Sequence, residues 1–149
     1  KKIIYILNSG GQPTASNTAR LLAAQSAQSG RSVLLCDATG QAKKEIQDKS
    51  EANDPALPIV NLGKNINLLN SADENSFFTS TKFNPKIKEL VNQFDQIFVC
   101  SSNKNAQLGL MALGEFSPGL VVISGLRKTR KLGIKNIKTR QAIDLLFYD

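Results

Sequence analysis

At 149 residues, with 19 Lys or Arg against 12 Asp or Glu and a net charge of +7, the chain suits one compact domain. A domain of that size buries about 68–70% of its unfolded surface, so a second one is not needed. No apolar run approaches the roughly 20 residues that cross a bilayer, and no signal peptide is visible. The sequence has no histidine, which removes the commonest metal ligand and the usual general base. It starts at Lys1 and its only methionine is Met111, so residues 1–149 are expected to be one domain cut from a longer protein.

In chain order, Lys2 to Leu7 (KIIYIL) is a short, β-branched apolar run of the kind buried in a parallel sheet, and it ends in the turn formers Asn8-Ser9-Gly10-Gly11. A helix follows, with Ser16 predicted as its N-cap, Ala19, Leu22, Ala23 and Ala27 at helical spacing, and Gly30 where a left-handed C-cap is wanted. Val33 to Cys36 is the next buried strand, completing a β-α-β unit whose crossover should be right-handed. A polar segment, Gln41 to Pro58, reads as a short helix and a surface loop. The alternation then resumes: a strand at Ile66–Leu69, a helix at Asn84–Asn92 with Pro85 in its first turn, a strand at Gln96–Cys100 and a helix near Ala106–Leu113. A strand at Gly119–Ser124, a basic and mostly helical segment from Arg127 to Arg140, and a strand at Ile143–Tyr148 complete it. The expected fold is α/β, a mainly parallel, doubly wound sheet with helices on both faces.

The turn after the first strand is where a phosphate-binding loop, G-x-x-x-x-G-K-[S/T], would sit. Here it reads SGGQPTAS: Ser9 and Thr14 stand for the glycines, Ala15 for the lysine, and only Ser16, whose hydroxyl would approach magnesium, fits. Gly10 and Gly11 keep the small residues of the loop.

Ala24 to Gln41 (AQSAQSGRSVLLCDATGQ) resembles the helix, glycine and "VLLIDAD" strand of the deviant Walker P-loop ATPases, most closely the tyrosine kinase domains of bacterial capsular and exopolysaccharide co-polymerases and chain-length determinants. Phe77 to Val99 is similar to that family's approach to the Walker B strand, and Gly119 to Arg127 (GLVVISGLR) to its strand entering a basic helix. The resemblance implies a P-loop NTPase-like fold of the partition and division-site ATPase type. It places the first aspartate of the second acidic motif on Asp37 and the second on Thr39, and the Walker B aspartate on Cys100, followed by Ser101, Ser102 and Asn103. Ser9, Gly10, Gly11, Thr14, Ala15, Ser16 and Asp37 thus mark a degenerate nucleotide site with no catalytic set and no metal. Loss of the lysine and of one metal-organising aspartate weakens nucleotide binding by roughly two to four orders of magnitude. Phosphoryl transfer, which depends on positioning and charge, suffers more.

The function expected is that of a catalytically inactive, kinase-like domain, on the cytoplasmic side of the bacterial inner membrane, in a polysaccharide biosynthesis, export or chain-length protein. Its expected partners are its own copies and other export or polymerisation proteins, and no cofactor is expected. The alternatives are a weakly active, ATP- and magnesium-binding autokinase of the same family and a partition- or division-site ATPase relative that has lost turnover. Arg127, Lys128, Arg130, Lys131, Lys135, Lys138 and Arg140 form a run without an acidic residue. It reads either as a solvated helix face or as attraction to an anionic membrane. Nucleic acid is disfavoured, because no aromatic residue interleaves that run. Cys36 and Cys100, at the ends of core strands, are expected to be buried and inert rather than a redox pair. Asp37 has a plainer reading as the cap of a neighbouring turn. Tyr148, without the tyrosine cluster that active kinases of the family carry in a C-terminal tail, reads as ordinary strand packing.

Overall fold

The computed structural model describes residues 1–8, 14–39, 59–70, 77–125 and 143–148. A seven-stranded sheet in the order β3-β4-β2-β5-β1-β6-β7 carries the molecule. Its strands are β1 (Ile3–Asn8), β2 (Val33–Ala38), β3 (Ile59–Gly63), β4 (Ile66–Asn70), β5 (Gln96–Ser101), β6 (Gly119–Gly125) and β7 (Ile143–Tyr148). Every pairing is parallel except that of β3 with β4. The apolar run predicted as the first strand lies inside the sheet, between β5 and β6. That position explains its continuous burial, since a parallel strand covered on both faces cannot alternate apolar with polar side chains.

Helix α1 (Thr14–Gln28) packs on one face, and α2 (Phe83–Leu90) and α3 (Ala106–Leu113) on the other. Ala15, Ala19, Ala23 and Ala27 of α1 recur every four residues and bury against Ile6, Leu35, Leu68, Phe98 and Cys100. Small side chains at that spacing bring the helix close to the strands. After α1, Gly30 adopts φ +91° and its N–H bonds to the Ala27 carbonyl at 3.0 Å, so the expected glycine cap is present. The other face is filled by larger groups. Phe77, Phe78, Phe83 and Tyr5 form a cluster of edge-to-face and tilted rings with centroids 5.2–5.9 Å apart.

Two expectations need correction and two fall elsewhere. Ser16 is no N-cap: α1 already begins at Thr14, so Ser16 lies within its first turn and its hydroxyl is directed to a neighbouring strand. Strand β3 is absent from the sequence reading, because its residues Ile-Val-Asn-Leu-Gly are only partly apolar and belong to an antiparallel edge. It turns into β4 through Lys64-Asn65, where Asn65 adopts φ 66°, a conformation asparagine tolerates. The helix and loop expected at 41–58 and the basic helical segment at 127–140 lie outside the described residues.

Tyr5 fixes the distance between the sheet and α3. Its buried hydroxyl lies 2.6 Å from Ser101 Oγ and donates to the Ala106 carbonyl at 3.3 Å. Burial holds that hydroxyl protonated far above its ordinary range. A Cβ on Gly109 would overlap the Tyr5 hydroxyl and the ring carbon that bears it. Gly109→Ala should therefore cost about 1–3 kcal/mol by overpacking. Tyr5→Phe in the same background, which removes the nearest atom, should cost less than the sum of the single changes in urea titrations. Strict additivity would show that α3 has room to move.

Candidate functional site

Parallel strands deliver their C-terminal ends to one edge of a sheet, and in open α/β folds ligands bind in that crevice. Here the ends of β1, β2 and β5 meet the start of α1. Adjacent strands β2 and β5 pair with Asp37 opposite Cys100. Both side chains point to the face covered by α1, where Ala15 and Ser16 occupy its first turn.

Asp37 has no exposed surface. A buried carboxylate is costly unless donors surround it, and this one is surrounded. Ser16 Oγ donates to Oδ2 at 2.8 Å, the Thr39 N–H to Oδ1 at 2.9 Å, and the Thr39 hydroxyl to the same Oδ1. Arg20 Nη2 lies 3.8 Å from Oδ2, with its side chain partly open to solvent. Cys100 stands opposite Asp37 in the register, on the same face. Burial first, and then the neighbouring Asp37 charge, push its thiol well above its usual range, so it is a protonated thiol rather than a nucleophile.

Of the residues singled out in the sequence, the structure brings Ser16 and Asp37 into direct contact. Ala15 is buried against the sheet and offers neither charge nor donor. Thr14 opens α1, while Ser9, Gly10 and Gly11 lie outside the described residues. The plainer reading of Asp37, a cap on its own turn, describes its Oδ1 bonds to Thr39. Oδ2, which joins β2 to α1, goes beyond that reading. Sequence reasoning missed Arg20, although its spacing of one helical turn after Ser16 is the signal that could have found it. Cys36 and Cys100 are free and buried in adjacent strands, but they belong to opposite faces of the sheet. A disulfide between them has no path, and burial keeps the Cys36 thiol protonated as well.

A nucleotide with magnesium requires oxygen ligands free to organise the metal and a cation directed at the phosphates. The described residues do not fit that requirement. Asp37 is engaged by internal donors, the position opposite it is a thiol, and the residue before Ser16 is a methyl group. Among the described residues no group of three His, Cys, Asp or Glu is placed to hold a metal ion.

Solved structures share this architecture. The BceF tyrosine kinase domain superposes with a TM-score of 0.73 at 14% identity, covering 99% of this chain and 68% of its own. A plasmid partition protein from Borrelia burgdorferi gives 0.68 at 16%, covering 98% and 77%. Cobyrinic acid a,c-diamide synthase from Mycobacterium smegmatis, solved with bound ADP and magnesium, gives 0.66 at 16%, covering 97% and 71%. The chain has the fold of these kinase and partition domains. At such identities the likeness is one of fold. No family model matches the sequence, and no curated protein does.

The arrangement around Asp37 makes a stability prediction. Asp37→Ala removes the acceptor of the Ser16 hydroxyl and of the Thr39 N–H and hydroxyl, and should cost about 3 kcal/mol. Ser16→Ala should cost about 1–2 kcal/mol, and the double variant less than the sum, because the two share one bond. Urea denaturation reads all three. A cost below about 0.5 kcal/mol for Asp37→Ala would show that the carboxylate is not what holds β2 to α1.

Proposed function

We propose that this chain is a catalytically inactive, kinase-like domain that works by protein–protein contacts, as the cytoplasmic portion of a membrane-anchored bacterial polysaccharide biosynthesis, export or chain-length protein. The observation that carries the loss of catalysis is the occupancy of Asp37: the one acidic group kept from the motifs already binds Ser16, the one hydroxyl kept from the loop. Each satisfies the other, so neither is left free to organise a metal. The polysaccharide assignment rests on the sequence resemblance of the scaffold segments, supported by a fold shared with a bacterial tyrosine kinase domain. Its partners on this reading are further copies of itself and other proteins of the export machinery. No helix among the described residues is long and apolar enough to cross a membrane.

Calorimetric titration with ATP and ADP, with and without Mg²⁺, tests the reading directly. The expected result is no affinity better than about millimolar, given the loss of two charged contacts. Low-micromolar ATP binding overturns it and favours the autokinase alternative. A second test addresses the docking role of the basic stretch. Charge reversal at Arg130, Lys131, Lys135 and Lys138 should leave thermal stability within about 0.5 kcal/mol per site. It should also weaken association with anionic vesicles in a salt-dependent way, and alter polymer length or export in cells carrying the full-length protein. Unchanged polymer with a strong phenotype from Ser16→Ala at undiminished protein level would show that nucleotide chemistry operates.

A further inference from the structure

The edge of the sheet opposite the Asp37 corner gathers unpaired positive charge. Parallel strands begin there. Lys1 and Lys2 precede β1, Arg31 precedes β2, and Lys64 sits in the turn that enters β4; all four are exposed. These are adjacent or near-adjacent strands in the order β4-β2-β5-β1. Three inter-strand spacings place the cations along a row of about 14 Å. Their backbone is pinned: the Val33 N–H bonds to the Asn65 carbonyl at 2.8 Å, Asp95 N–H to the Ser32 carbonyl at 2.9 Å, and Ile97 N–H to the Lys2 carbonyl at 2.9 Å.

Charge elsewhere in the described structure is largely paired, with Lys86 against Glu89, Lys88 against Glu115 and Arg20 against Asp37. None of the four edge cations has an ion-pair partner among the described residues. The one carboxylate in the row, Asp95, is held by Ser32, whose N–H and hydroxyl donate to Oδ2 at 2.8 and 3.0 Å, and it also feels the charges of Lys2 and Arg31 without a close ion pair to either. It lowers the row to a net +3.

We propose that this edge is a membrane-facing surface that binds the phosphates of anionic lipid headgroups. The shape of the charge favours a bilayer over nucleic acid. The cations sit on neighbouring strand ends, and Phe94, next to Asp95 in sequence, is packed against the core and not available to stack on a base. A second copy of the chain is a poorer fit, since its described surface carboxylates Glu89 and Glu115 are already engaged by Lys86 and Gln93 and by Lys88 and Asn84. The proposal uses none of residues 127–140 and is independent of whether the corner binds nucleotide.

The test is flotation of the full chain with vesicles of phosphatidylcholine alone or mixed with phosphatidylglycerol. Binding is expected only to the mixed vesicles. Each basic residue near such a leaflet is worth about fivefold in affinity, so Lys2→Gln, Arg31→Gln and Lys64→Gln combined should weaken binding about 100-fold. Lys64→Gln alone, in an exposed turn where folding is not at stake, should weaken it about fivefold. Lys104→Gln, at the opposite edge, should leave it unchanged, and charge reversal in the basic stretch should leave the ratio between wild-type and triple-variant edges intact. Equal binding by wild type and the single and triple variants overturns the proposal. So does equal binding to neutral vesicles, tighter binding to a DNA duplex than to the mixed vesicles, or release by inorganic phosphate at matched ionic strength, which would mark a small-ion pocket.

Discussion

A carboxylate without exposed surface governs the corner where β1, β2, β5 and α1 converge. Fully buried, the Asp37 carboxyl group requires several partners, and they come from three parts of the chain: Ser16 and Arg20 from α1, Thr39 from the turn after β2, and Cys100 opposite it on β5. Satisfying it therefore fixes the start of α1 against two strands at once. The alanines behind Ser16 allow that approach, because larger residues at Ala15 or Ala19 would hold the helix too far off for a 2.8 Å bond to form.

Strand β5 extends the same logic through the sheet. Cys100 and Ser101 are consecutive, so their side chains point to opposite faces. Cys100 lies opposite Asp37 on the α1 side, while Ser101 meets the Tyr5 hydroxyl on the side of α3. Each thus faces the helix on its own side. Loss of the charge at Cys100 also matters energetically: a second carboxylate opposite Asp37 would bring like charges together in a buried site, a repulsion that a protonated thiol avoids.

Most of the fold was legible because its signals are local. The apolar runs that became β1, β2 and β5 announce a sheet buried on both faces, and Gly30 marks the end of α1 by a backbone need that few residues meet. Strand β3 was not legible. An edge strand has one partner and partial burial, so its pattern in Ile59–Gly63 is diluted by exposed Asn61 and Gly63. Site membership was half legible for a similar reason. Motif spacing led to Ser16 and Asp37, but that the two bond to each other, and that Cys100 and Arg20 join them, depends on register between strands and helix that spacing along the chain does not encode.

The described residues give the two ends of the sheet different electrostatics. At the C-terminal end, a buried acid is bonded by Ser16 and Thr39 and approached by one partly exposed arginine. At the N-terminal end, Lys2, Arg31 and Lys64 remain exposed on a hydrogen-bonded frame. A rigid frame matters for binding to a diffuse anionic surface: fixed strand ends hold neighbouring cations within about two Debye lengths of one another at physiological salt, so their potentials add without the ordering cost that a flexible basic tail incurs. On the proposed reading, the Asp37 corner stabilises the domain, and the edge away from it is left to make contacts.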